Sequence, residues 1–217
     1  DVIFLSVIDK NLDYVTLDGA VTTITTWQCG DFAEGKHTVI AYDKAQNMIE
    51  HSFFVDKTSP QITAKANGSS IVNNGGYVSD VIEFVILEEN LDRVTLDGAV
   101  VESFSFNATD LTETQHTFIA YDKAQNSSMF VFYIDRTAPS FSLRDFYSAK
   151  DVILLSIVEK NLDYVTLDGA VTNKNSWQGA DLPDGVHTII AYDKAQNYCK
   201  QTFTVDTNLP IISGTVN

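Results

Sequence analysis

Three histidines, His37, His116 and His187, stand at equivalent places in a sequence that repeats itself. Histidine can ligate a metal or move a proton near neutral pH. Each copy, however, holds a single such histidine, without a second histidine or cysteine at zinc-ligand spacing. The fourth, His51, is unique to the first copy. Cys29 and Cys199 are not equivalent; Gly179, Ile49 and Ser128 occupy the matching positions, so neither a disulfide nor a thiol nucleophile is repeated. Carboxylates are numerous but sit in turns. The calcium candidates are Asp9, Asp13 and Asp56 with their equivalents, yet no dense Asp/Asn string of the EF-hand kind is present, and no cofactor or resident metal is expected. Phosphate loops, Gly-x-Ser-x-Gly, His-Glu-x-x-His and Cys-x-x-Cys are absent. A repeated enzyme would carry three active sites, so the sequence predicts no catalysis. The remaining candidates are aromatic. Tyr14, Tyr42, Tyr164 and Tyr192 are predicted to face outward, where they could bind a glycan ring or a partner protein.

The elements that position these residues follow from the repeat. Asn11-Leu12-Asp13-Tyr14-Val15-Thr16-Leu17-Asp18-Gly19-Ala20-Val21 recurs at Asn90–Val100, with Arg93 for the tyrosine, and unchanged at Asn161–Val171. Tyr-Asp-Lys-Ala-Gln-Asn follows each copy at one fixed distance, at Tyr42–Asn47, Tyr121–Asn126 and Tyr192–Asn197. The copies themselves, starting at Asn11, Asn90 and Asn161, are unequally spaced, so folded units are joined by adjustable connections. Asp56-Lys57-Thr58-Ser59-Pro60 and Asp135-Arg136-Thr137-Ala138-Pro139 read as seams, as does Asp206–Pro210. They divide the chain into 1–59, 60–138, 139–209 and a tail, 210–217.

Within the first copy the sequence predicts a buried strand over Val2–Ile8, a strand over Tyr14–Leu17 and a hairpin turn at Asp18-Gly19. Thr22–Trp27, His37–Tyr42 and Ser52–Val55 are further strands, with a tight turn at Asp43–Asn47. Nothing has helical periodicity. The Gly/Asn/Ser-rich stretch from Gly68 to Gly76 is expected to be a mobile loop. In the strand from His37, alternation puts His37, Val39 and Ala41 inward and Thr38, Ile40 and Tyr42 outward. In its neighbour Val15 and Leu17 face in, Tyr14 and Thr16 out. Asp43 with Asn47, like its sister pairs, is expected to form an Asx-type turn. The fold class expected is all-β: three tandem antiparallel sandwiches, the first lacking its N-terminal strand.

The chain has 217 residues, net charge −15 and 44% hydrophobic residues. That charge argues against nucleic acid and anionic membranes, and no apolar run is long enough for membrane insertion. The sequence starts inside a repeat, so any targeting segment would lie outside it.

Leu182-Pro183-Asp184-Gly185-Val186-His187 resembles the Leu-x-Pro-Gly-x-x-Tyr corner of fibronectin type III and related sandwiches, with histidine in the tyrosine place. His37, His116 and His187 are therefore expected to anchor a crossing loop. Ala41–Asn47, with Gln46 where glycine is usual, and the Asp-x-Thr-x-Pro seams resemble tandem bacterial Ig-like domains over essentially the whole chain. That likeness implies an extracellular or cell-surface protein of the adhesin, S-layer or carbohydrate-active enzyme type, with neighbouring domains as partners. Its role is then a structural spacer or, alternatively, an adhesive module recognising glycan or host protein. The tail 211–216 matches the strand the first copy lacks, so strand exchange into another molecule's first copy is a further expectation.

Overall fold

The computed structural model describes residues 2–4, 6–24 and 26–214, and every described element but three single turns is a β-strand. The expected strand-exchange segment 211–216 lies partly outside the described residues. The first copy comprises β1 (Val2–Phe4), β2 (Leu12–Leu17), β3 (Ala20–Thr22), β4 (Thr26–Gln28), β5 (Gly35–Asp43) and β6 (Met48–Val55). The middle copy comprises β7 (Gln61–Ala66), β8 (Ser69–Ile71), β9 (Gly76–Val78), β10 (Val81–Leu87), β11 (Leu91–Leu96), β12 (Ala99–Val101), β13 (Ser105–Asn107), β14 (Gln115–Asp122) and β15 (Ser127–Ile134). The third comprises β16 (Phe146–Tyr147), β17 (Val152–Leu154), β18 (Leu162–Leu167), β19 (Ala170–Thr172), β20 (Ser176–Gln178), β21 (Gly185–Asp193) and β22 (Tyr198–Val205). Two compact units are distinguished: Asp1–Ile62 with Ile86–Thr95 and Ile119–Met129, and Thr63–Val85 with Leu96–Phe118 and Phe130–Asn217.

One sheet pattern is written three times: β3-β2-β5-β6, β12-β11-β14-β15-β9 and β19-β18-β21-β22-β16. The opposing layers are β1-β4, β13-β10-β7-β8 and β17-β20. Two facing antiparallel sheets, with a short parallel strand closing one edge, are the immunoglobulin-like sandwich arrangement. The closing strands are β9, parallel to β15, and β16, parallel to β22. Among the described residues the first-copy sheet ends at β6.

Turn chemistry fixes the hairpins. Asp18-Gly19, Asp97-Gly98 and Asp168-Gly169 all take positive φ, from 49° to 84°, the type I′ geometry that matches strand twist. Inward alternation then builds the cores. In the third copy Ile153, Ile189, Ala191, Phe203 and Val205 are essentially inaccessible around Trp177. In the middle copy Phe118 lies flat on Phe84, ring centres 3.8 Å apart. Among the described residues the first copy clusters Trp27, Phe32 and Val55.

Several expectations are corrected. Val2–Ile8 is not one buried strand: β1 is Val2–Phe4, Ser6–Ile8 form no strand, and Phe4 and Ile8 are 78% and 94% exposed. A two-layer sandwich covers only one face of such a strand, as Ile82 and Val85 show in the middle copy. Thr22–Trp27 is two strands in opposite sheets, β3 and β4. The Thr22 hydroxyl accepts the Ile24 amide, offering the backbone a turn where the strand would continue. Thr172 does the same for Lys174. Thr16 is buried rather than outward-exposed, as are Thr95 and Thr166; its outer face is covered by Val21 and Ile40 on the flanking strands. The last strand of the first copy begins at Met48, not Ser52. Gly68–Gly76 holds β8 and a turn that leads into β9, tied down where Asn73 accepts the Val131 amide and the Asn74 amide bonds the Val131 carbonyl. Finally, among the described residues three single-turn 3₁₀ helices occur, at Cys29–Asp31, Ala108–Asp110 and Gly179–Asp181. The last needs its glycine: a Cβ there would collide with the Ser148 carbonyl oxygen.

Candidate functional site

The three histidines are loop anchors, in keeping with their inward phase. In each, Nε2 meets a carbonyl four residues back, Ala33, Thr112 or Pro183, at 3.0, 2.8 and 2.8 Å. Nδ1 meets the hairpin aspartate, Asp18, Asp97 or Asp168, at 2.7, 2.6 and 2.7 Å. The other oxygen of that aspartate accepts a strand amide, from Thr38, Thr117 or Thr188. The ring also packs against the core, on Phe53, Phe132 or Phe203. The Asp18 hydrogen bond, then the Ala33 carbonyl, raise the pKa of His37. Burial opposes the rise at His187, but Asp168 and the Pro183 carbonyl outweigh it. Reciprocally, the His37 bond and the Thr38 amide hold Asp18 below its ordinary value. Both ring nitrogens are occupied, one by the hairpin and one by the loop, which makes each histidine a tie between them. Sequence reasoning missed the aspartate partner, though its separation of 19 residues from the histidine is the same in all three copies.

The second repeated phrase builds the seams. Asp43 Oδ1 accepts the Ala45 and Asn47 amides, and its Oδ2 accepts Asn47 Nδ2–H, the expected Asx-type turn. Gln46, Gln125 and Gln196 take φ of 66–69°, the left-handed conformation glycine usually supplies. Asn126 and Asn197 repeat the turn on Asp122 and Asp193 and add a bond. The Nδ2 group has two hydrogens. One goes to the aspartate of its own turn and the other to the carbonyl of the preceding seam, Asp56 at 3.0 Å and Asp135 at 2.8 Å. Asp122 and Asp193 are fully buried there. Burial raises the pKa of Asp193 despite the bonds from Asn197, and the charge of Asp135 adds to the rise. Asn161 Nδ2 donates to Asp135 Oδ2 at 3.0 Å, and Ser79 donates to the Ala195 carbonyl at 2.9 Å.

From the other side each seam is gripped by a loop carboxylate. Glu34 accepts the Lys57 amide and the Thr58 hydroxyl; Glu113 accepts from Arg136 and Thr137; Asp184 accepts from Thr207 and Asn208. Lys57 Nζ and Arg136 also donate to carbonyls at the single-turn helices, Gly30 and Phe32 in one case, Ala108 in the other. Sequence reasoning singled out none of these carboxylates, although each precedes its seam by the same interval.

Of the calcium candidates' equivalents, Asp135 and Glu159 both accept from Asn161, through its side chain and its backbone amide respectively. Asp9 Oδ1 accepts the Asn11 amide and Asp56 Oδ1 the Thr58 amide, each within its own turn. Among the described residues no group of three or more His, Cys, Asp or Glu side chains is placed to hold a metal.

The tyrosines pair off. A bulge in β2 between Leu12 and Tyr14 sets Tyr14 opposite Tyr42, and the same bulge in β18 sets Tyr164 opposite Tyr192. The rings stack at 4.6 and 4.7 Å with interplanar angles of 20°. In the middle copy Arg93 lies 4.0 Å above the Tyr121 ring, a cation–π contact in place of the stack. All four tyrosines are half-buried. In the third copy the row extends to Tyr198, 5.7 Å from Tyr192 and 60% exposed.

No protein-family model matches the chain, and no curated protein is significantly similar to it. Among solved structures it is similar to the Bacteroides ovatus mixed-linkage glucan utilization locus protein SGBP-B in complex with a mixed-linkage heptasaccharide. The identity is 14%, over 93% of this chain and 63% of that one, with a TM-score of 0.27. It is also similar to the N-terminal eight Ig domains of Down Syndrome Cell Adhesion Molecule, at 13% identity over 89% of this chain and 32% of that one, TM-score 0.32. A third is the tetra-tandem repeat in the extending region of a large adhesion protein, at 17% over 90% and 66%, TM-score 0.26. The chain spans less than two thirds of each of these. Likeness this distant carries no argument about ligand or partner.

Proposed function

We propose that this chain is a non-catalytic structural spacer in a bacterial surface or secreted multidomain protein, made of modules bounded near residues 59, 138 and 209. One observation carries the reading: the second repeated phrase is spent on joining one copy to the next. Asn126 and Asn197 each divide their two amide hydrogens between their own turn and the preceding seam carbonyl. A chain that serves as a stalk needs junctions that resist bending, and two part-buried, fully used amides supply that resistance. The histidines and carboxylates that could have done chemistry are likewise engaged in loops and seams.

A second reading, an adhesive module, is favoured by the ring row Tyr164–Tyr192–Tyr198, which offers apolar faces at the surface. A glycan and host-protein binding screen separates the two. The spacer reading expects no micromolar ligand, or one whose binding survives changing Tyr14, Tyr42, Tyr164 and Tyr192 to serine. Loss of a micromolar ligand in that variant would replace it with the adhesive reading.

A further inference from the structure

We propose that each copy carries one site of oxidative tyrosine cross-linking, where a carbon–carbon bond between two rings staples neighbouring strands. The sequence holds nine tyrosines. Six of them form stacked pairs, one pair in each copy: Tyr14 on Tyr42, Tyr77 on Tyr133 and Tyr164 on Tyr192. Ring centres are 4.6, 5.1 and 4.7 Å apart, with interplanar angles of 20°, 19° and 20°. In every pair the two residues are register partners, on β2 and β5, on β9 and β15, and on β18 and β21. Side chains directly opposite each other start about 4.5–5.5 Å apart at Cβ, close enough for a link between ring edges. All six tyrosines are half-buried, which leaves the rings room to turn edge to edge. Tyr198 lies farther off, 5.7 Å from Tyr192 with an interplanar angle of 40°, so Tyr164 is the better placed partner.

The middle copy is the informative one. Arg93 stands where the other copies have Tyr14 and Tyr164, and its guanidinium covers Tyr121. That cation–π contact already ties β11 to β14. A tyrosine pair is nonetheless present in this copy, moved to β9 and β15. The third copy, which keeps the Tyr164 pair, has Phe146 and Thr204 at the places of Tyr77 and Tyr133. Phenylalanine would stack as well, but only a phenol couples. Both cysteines are free, so no disulfide constrains these sandwiches. A ring-to-ring bond closes a loop within its own copy and restricts the unfolded chain as a disulfide does. The oxidant is hydrogen peroxide, used in one-electron steps by a haem peroxidase. Each phenol gives up one electron and its hydroxyl proton and becomes a phenoxyl radical. The two radicals join through the ring carbons next to the C–O carbon. The hydrogens on those carbons then move to the oxygens, restoring both phenols. The two electrons and two protons released reduce one peroxide to two waters.

Treating the dilute full chain with a haem peroxidase and hydrogen peroxide tests this, with mass spectrometry of the intact chain and of its digest. The expected product is a monomer lighter by two hydrogens for each linked pair, with dityrosine fluorescence. Its digest should contain peptides joined as Tyr14–Tyr42, Tyr77–Tyr133 and Tyr164–Tyr192, and should leave Tyr121 and Tyr147 unlinked. Phenylalanine preserves the stacks, so a Tyr42→Phe, Tyr192→Phe double variant should fold, lose the first and third links and keep the second. The linked chain should unfold at a higher temperature than the same chain given peroxide without enzyme. Pairs that stay unlinked under conditions that couple free tyrosine overturn the proposal. So do links that chiefly join different molecules, or links that take in Tyr121 and Tyr147 as readily as the paired rings. A linked chain with an unchanged unfolding temperature overturns the stapling role.

Discussion

Among single residues, the His–Asp bridge sets how stability depends on pH. His37 and His187 have raised pKa values, so their contribution is complete below about pH 6.5, the unfolded value, and is lost as pH rises through the higher folded value. Asp18 and Asp168 have lowered values, burial at Asp168 being outweighed by His187 and the Thr188 amide. Their contribution is complete above about pH 4 and is lost as pH falls through the folded value. The bridges' contribution should therefore form a plateau between about pH 4 and 6.5 and decline on both sides. Denaturant midpoints at about pH 5.5 and 8.5 check the alkaline side, and a His37→Gln, His187→Gln double variant should flatten that decline. Equal wild-type midpoints at the two pH values would refute the assignment. A second residue prediction concerns Thr95, whose buried hydroxyl has no hydrogen-bond partner among the described residues. Replacing it with valine removes an unsatisfied polar group, and thermal unfolding should shift upward, by about 1 kcal/mol in stability; a destabilised Thr95→Val would mean that the hydroxyl is satisfied. The histidines' anchoring role is legible in the sequence from alternation and the loop pattern before them. Their aspartate partners are not, because an Asp-Gly pair already has a sufficient local explanation as a turn and nothing local hints at a bond to a histidine one strand away.

Among the elements, the hairpins at Asp18-Gly19 and the alternation through His37, Val39 and Ala41 are legible because turn chemistry and period-two burial are local. The strand breaks are less so. Whether Thr22 continues a strand or turns its hydroxyl back to Ile24 depends on which sheet the next residues join, a tertiary matter. The stretch from Gly68 to Gly76 departs from expectation for the same reason: its composition is that of a flexible segment, but Val131 on β15 supplies its bonds. The closing strands are likewise set by distant partners: the Thr204 amide donates to the Asp145 carbonyl at 2.7 Å, and the Asp206 amide to the Tyr147 carbonyl at 2.9 Å. In the cores, Phe118→Ala should cost about 3–5 kcal/mol, since the ring is inaccessible and stacked on Phe84; urea unfolding of the full chain would reveal it.

For the molecule as a whole, the proposed spacer role makes the seams the parts to test. The copied phrase around Tyr14 supplies core valines, a turn and a stacked ring pair; the phrase around Asn47 supplies a turn that becomes a joint wherever a seam precedes it. The seams close through protein hydrogen bonds, so EDTA should leave the unfolding temperature unchanged, and a drop on chelation would point to a cation there. The most direct test is the width of spin-label distance distributions across each seam, measured by pulsed electron paramagnetic resonance on protein freed of its native cysteines. One label pair would join the first and middle copies and another the middle and third. A spacer requires narrow distributions for the unmodified seams and clear broadening in Asn126→Ala and Asn197→Ala, each at its own seam only. Broad distributions in the unmodified chain, or distributions unchanged by removing those amides, would contradict it.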